Sequence, residues 1–119
     1  MANDFKRFVK KDIGTGEGAS GSTVYTVPSS SSTAMESIVI GITIANKSTA
    51  GITCDVFLDA LGGASDDVYI VKDASIPAGS SLAVMSGNKL VLQGDGTNND
   101  ILKMTSSTAS AADGIVSVL

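Results

Sequence analysis

The stretch Ser37-Ile38-Val39-Ile40-Gly41-Ile42-Thr43-Ile44-Ala45-Asn46 decides the fold class. Ile recurs at every second position from 38 to 44, with Val39, Gly41, Thr43 and Ala45 between. That period of two sends alternate side chains to opposite faces of a β-strand. The expectation is one strand with all four Ile on a single apolar face. A polar turn over residues 46–51 follows. Ile52, Cys54, Val56 and Leu58 then alternate with Thr53, Asp55, Phe57 and Asp59, so the two strands read as a hairpin.

Outward from this pair, shorter strands are expected at residues 24–27, 68–72, 81–85, 89–92, 101–105 and 115–119, each bounded by Gly, Pro, Asp, Asn or Ser. Pro28 ends the first of these because it lacks an amide donor, and residues 28–33 form a Ser-rich loop. Ile76-Pro77-Ala78-Gly79, Ser86-Gly87-Asn88 and Gly94-Asp95-Gly96 supply reversals between the later strands. Gly and β-branched residues interrupt every window that a helix of ordinary length would need, and no repeat recurs at a fixed period. The fold expected is all-β: a single antiparallel β-sandwich, jelly-roll or immunoglobulin-like, of about eight strands with an N-terminal arm. Residues 1–23 are read as arm and linker, and residues 24–119 as the sandwich domain.

The chain has 119 residues, 43% of them hydrophobic, with no Trp, two Tyr and three Phe, so its core must be built from Ile, Val, Leu and Ala. A domain of this size buries about two-thirds of the surface its unfolded chain exposes, enough to fold with modest reserve. Association with other chains would add to that reserve.

Composition also removes much chemistry. Zero His withdraws the commonest general base and metal ligand, and a single Cys excludes an internal disulfide, a Cys-rich zinc site and a Cys–His pair. Cys54 lies on the apolar face of its strand, where burial raises a thiol's pKa, so it reads as a small core residue. A lean core without staples fits a reducing interior. Charge in the first residues and the lack of a long apolar run predict neither export nor membrane insertion.

Three short constellations hold residue types that chemistry could use. Residues 94–100 gather Asp95, Asn98, Asn99 and Asp100, hard oxygen donors of the kind calcium takes, but their spacing is not that of an EF-hand. Asp, Asn and Gly are also what a tight loop requires, and the turn reading is preferred. Gly14-Thr15-Gly16-Glu17-Gly18 lacks the preceding strand and the Gly-Lys-Ser/Thr ending of a phosphate loop and reads as linker. Asp66 and Asp67 are neighbours whose side chains point to opposite faces of a strand, so they are read as solvated loop charges. No catalytic residue, cofactor or metal ligand is assigned, and no enzyme is expected.

The arm is the least ordinary feature. Lys6, Arg7, Lys10 and Lys11, against Asp4 and Asp12, make the first 13 residues net +2, in a chain that carries −4 overall. Phe5, Phe8 and Val9 have the spacing of a helical stripe, which allows a short helix where a surface holds it and leaves a solvated, disordered terminus where none does. An acidic body with one short basic arm does not suit broad nucleic-acid binding. A mixture of aromatic and cationic residues is a docking composition, so Phe5, Lys6, Arg7, Phe8, Lys10 and Lys11 are the partner-binding candidates.

Ala2-Asn3-Asp4-Phe5-Lys6-Arg7-Phe8, Val24-Tyr25-Thr26-Val27-Pro28, the Ile38 to Asn46 stretch, Ile76-Pro77-Ala78-Gly79-Ser80-Ser81-Leu82 and the Leu92-Gln93-Gly94-Asp95 step together resemble small virion structural proteins of tailed bacteriophages, especially those of cyanobacterial hosts. Where that family has a short Leu-x-x-Gly-Asp-x-Ile run, this chain is longer between Gly94 and Ile101. The resemblance implies a β-sandwich subunit of the virion, made in the host cytoplasm, that associates as a homo-oligomer, with a trimer favoured. It implies a capsid decoration, or cement, protein whose partner is the major capsid protein and whose arm clamps a neighbour. The alternatives are a tail, neck or baseplate component, and a carbohydrate- or receptor-binding module, for which the shortage of aromatic residues is unfavourable.

Overall fold

The computed structural model describes residues 5–16, 20–28, 34–60, 67–85, 89–95 and 97–119. They form nine strands: β1 (Lys6–Lys10), β2 (Ser22–Thr26), β3 (Met35–Asn46), β4 (Ile52–Asp59), β5 (Asp67–Ile76), β6 (Ser81–Ala83), β7 (Leu90–Gly94), β8 (Ile101–Ser106) and β9 (Ala112–Val118). No α-helix occurs among the described residues. One sheet runs β1-β9-β3-β6, with β7 also on β3; the other runs β2-β8-β4-β5. All pairings are antiparallel. The architecture is thus the expected β-sandwich. Its short dimension of 21 Å fits two sheets packed about 10 Å apart with side chains on both outer faces.

Period-two alternation supplies the core from both sheets. Val39, Ile42, Ile44 and Val116 of the first sheet meet Val24, Val56, Leu102 and Met104 of the second, all buried, with Leu92 from β7. Branched aliphatics and one Met fill the space that Trp occupies in many sandwiches.

Three expectations change. The first concerns the four Ile of β3. The register slips between Val39 and Gly41, leaving Ile40 as the extra residue of a β-bulge. A bulge reverses which face the following residues occupy. Ser37, Val39, Ile42, Ile44 and Asn46 therefore point inward, while Ile38 and Ile40 stay on the outer face.

The second concerns the expected hairpin. β3 and β4 lie in different sheets, and the turn at residues 46–51 crosses the sandwich between them. Both strands present apolar residues to the same interior, so β3 takes its ladder partners from later in the chain, β9, β6 and β7, while β4 pairs with the next strand, β5, and with β8. The buried Asn46 side chain holds the crossing. Its Nδ2 donates to the carbonyls of Ala50 (2.9 Å), Ile76 (3.0 Å) and Pro77 (3.2 Å), and its Oδ1 accepts from the Ser48 amide (2.9 Å) and hydroxyl (2.7 Å). The turn beyond Pro77 closes with the Ser80 amide donating to the Pro77 carbonyl (3.1 Å), Gly79 taking the positive φ of 70° that this position requires.

The third concerns the arm. Lys6–Lys10 is a strand on β9, not a helix, because the ladder satisfies its backbone as no isolated turn of helix could in water. Ile13 beyond it is fully buried, its amide donating to the Ala112 carbonyl (2.8 Å). Gly14 then passes to the other sheet, its carbonyl accepting from the Ser106 amide (2.9 Å) and the Thr105 hydroxyl (3.2 Å). Residues assigned to arm and linker therefore belong to both layers of the sandwich.

Candidate functional site

β1 is the end strand of its sheet, paired only with β9 among the described residues. Alternation divides the six candidate residues. Phe8 faces in, half-buried against the core, its ring 4.5 Å from that of Tyr25. Lys6, Arg7, Lys10 and Lys11 are exposed along the open edge, and Phe5, one residue before the strand, is exposed too. Cations along a sheet edge deter indiscriminate strand pairing and select acidic neighbours.

The outer face of this sheet is apolar at its centre. In register across it stand Val9 beside Ile115, Ile115 beside Thr43 and Thr43 beside Ala83; farther along β3, Ile38 stands beside Val91. The bulge adds Ile40 between these groups. Exposure is 71% for Phe5, 58% for Val9, 54% for Val91, 45% for Ile115 and 36% for Ile40. A shallow depression of about 250 Å³ is lined by Val9, Lys10, Lys11, Asp113, Gly114 and Ile115. Charged residues stand at the margins: Arg7 on the edge strand, Asp113 toward one end of β9, Glu36 near the start of β3 and Lys89 just ahead of β7. Asp113 accepts from the Asp12 amide (2.9 Å) and lies 3.0 Å from Lys47 Nζ, which hold its carboxyl below the ordinary carboxylate value.

The outer face of the second sheet is the opposite. Leu102 and Met104 point into the core, so Lys103 and Thr105 point out, beside Phe57 and Asp55 of β4. All four are buried. Lys103 Nζ lies 3.3 Å from Asp59 Oδ2 in a buried ion pair. Asp59 stands directly opposite Asp67 on β5, and the buried Oδ1 of each has no hydrogen-bond partner among the described residues. Tyr69 stacks at 5.3 Å on Phe57, with Lys72 Nζ 4.8 Å above its ring. A polar pocket of about 220 Å³ is lined by Thr15, Thr53, Asp55, Asp73, Thr105, Ser106 and Ser107. Its buried acid, Asp55, accepts from the Asp73 amide (2.6 Å) and from Lys72 (3.3 Å), and the left-handed backbone of Asp73 at φ 53° aims that amide.

The other candidate groups fall as follows. Cys54 is buried, and burial pushes its thiol pKa up. Asp95 Oδ1 accepts from the amides of Thr97 (2.8 Å) and Asn98 (2.7 Å), which lowers its pKa, and Asp100 accepts from the Gln93 amide (2.8 Å). These carboxylates organise the reversal between β7 and β8, as the turn reading requires. Asp66, Glu17 and Gly18 lie outside the described residues. Sequence reasoning missed the outer face of the first sheet altogether; its one local signal was Gly41, since a lone Gly within a strand pattern marks a bulge. Comparison of the chain with protein-family models, with curated proteins and with solved structures finds no significant match.

Proposed function

We propose that this chain is a structural subunit of a tailed-phage virion, a capsid decoration protein that binds the major capsid protein of the head shell. The observation that carries the reading is the edge strand β1, where Lys6, Arg7, Lys10 and Lys11 line an open sheet edge of a chain whose net charge is −4. Such an edge offers backbone hydrogen bonds to an added strand and cationic selection for an acidic one. The assignment to a virion rests on the sequence resemblance; the sandwich and its edge supply a means of attachment. The function is adhesion between neighbours, with no bond broken or formed.

The test is charge reversal of Lys6, Lys10 and Lys11 to Glu, three exposed side chains whose replacement leaves the core intact. Binding to purified head shells is expected to fall at least about tenfold and to weaken with salt in the parent protein. Undiminished binding by the folded variant, or antibody labelling of intact particles confined to the tail, would overturn the reading.

A further inference from the structure

We propose that the outer face of the first sheet is the docking surface for a second copy of this chain, the two related by a two-fold axis. The inference goes beyond the virion reading and stands whether or not a head shell is the neighbour. Three observations carry it.

The first is anatomy. Val9 and Ile115 form one apolar group on this face and Ile38 and Val91 another, with the bulged Ile40 and the small Gly41 and Ser117 between them and the charges at the margin. An apolar centre inside a polar rim is how specific interfaces are built, and exposed aliphatics grouped in this way on a small chain mark an interaction site.

The second is charge. The margin carries both signs, Arg7, Lys10, Lys11 and Lys89 against Glu36 and Asp113, on a chain that is −4 overall. By strand geometry Arg7 and Glu36 lie about 17 Å apart on this face, too far to pair within one chain. Neither has an ion-pair partner among the described residues. An axis lying in the contact plane between them exchanges the two corners, so Arg7 of each copy meets Glu36 of the other, twice.

The third is area. Strand spacing and rise give this sheet a projected face of about 500 Å², and a biological interface needs about 1,000 Å² summed over both partners. The face suffices for a dimer of modest affinity. It meets itself across a two-fold axis, whereas the trimer implied by the family resemblance would require two different complementary patches.

Sedimentation velocity on the full chain tests this. At about 100 μM, well above a micromolar Kd, the wild type is expected to sediment as a dimer, at twice 11.9 kDa. Ile115→Lys and Val91→Asn, each at an exposed site that leaves the core untouched, should each weaken association by at least about tenfold with unchanged circular dichroism. Arg7→Glu should weaken it also, and adding Glu36→Arg to that variant should restore it. A monomeric wild type at that concentration would overturn the proposal and leave the face to a different protein. So would an oligomer indifferent to Ile115→Lys and Val91→Asn, or a charge swap that fails to restore association.

Discussion

Replacing Asn46 by Ala tests whether one side chain holds the crossing between the two sheets. Nδ2 has two protons for three carbonyls, those of Ala50, Ile76 and Pro77, and Oδ1 takes both the amide and hydroxyl of Ser48. The carbonyls of Ala50 and Pro77 lie near enough to the surface for water to replace most of what is lost. The Ile76 bond is buried, and an acceptor orphaned there costs about 1–3 kcal/mol, against about 1 kcal/mol net for an ordinary hydrogen bond. The total expected is about 3 kcal/mol, a large part of the 5–15 kcal/mol that holds a typical domain folded. Equilibrium unfolding in urea should show the midpoint falling by roughly 2 M at unchanged slope. Asn46→Asp should be worse at neutral pH, because a carboxylate of the same size donates nothing to three carbonyls aimed at it. Ser48→Ala, which touches only the accepting end, should cost under about 1 kcal/mol. A cost below about 1 kcal/mol for Asn46→Ala would show that the ladders alone fix the crossing and that the side chain merely fills the gap.

Three further outcomes follow from the packing and charges. A Cβ at Gly114 would overlap Met104 Sδ, with Ile13 Cδ1 at 3.6 Å, so Gly114→Ala should cost about 1–3 kcal/mol. Combined with Met104→Ala, it should cost less than the two separate urea-measured losses added together; strict additivity would refute the contact. Lys103→Met leaves Asp59 buried without its cation and should cost about 3–5 kcal/mol, most of it recovered by adding Asp59→Leu. A neutral single variant would mean that the pair is hydrated in solution. Asp113 has a folded pKa below the ordinary 3.8, so its contribution is present above that value and is lost as pH falls through the lower folded value. Asp113→Asn should therefore be destabilised near neutral pH and converge on the wild type in urea titrations as pH falls below 3.8, whereas a gap that stays constant as the pH is lowered would contradict the assignment.

The body of the sandwich was legible because its strands alternate strongly and are cut by Gly, Pro and Asx residues, and every strand expected from residue 24 onward occurs, with shifts at the ends. β1 was not legible. Lys-Arg-Phe-Val-Lys carries one partly buried side chain, Phe8, and edge strands tolerate charges that interior strands exclude, so the helical spacing of Phe5, Phe8 and Val9 was the stronger local signal. The hairpin reading failed for a reason no local window contains: β3 pairs with β9, some 70 residues later in sequence. The candidate residues were found as an exposed cationic edge, but Phe8 went to the core because the ladder with β9 turns it toward Tyr25. The apolar outer face was hidden by the bulge, since without it Ile38 and Ile40 would share the buried side of Ile42 and Ile44.

The contrast between the two outer faces bears on which of them meets a neighbour. On the second sheet the outward residues include Phe57, Lys103 and Asp59, and all are already buried within the chain, with an ion pair between the charged two. On the first sheet the outward positions include Val9, Ile115, Ile40 and Val91, all exposed. Strand propensity does not require this, because Thr has the same β-branched preference and keeps a hydroxyl for water, as Thr43 does in the same row. Choosing Ile and Val over Thr changes little within the strand but changes much once the face leaves water, where each buried methylene contributes about 0.8 kcal/mol. Scattered exposed aliphatics are ordinary on any surface, but here Val9 stands in register beside Ile115 and Ile38 beside Val91. The pattern is that of a face composed for burial, and a 119-residue chain with a lean aliphatic core gains the stability it lacks alone when that face is covered.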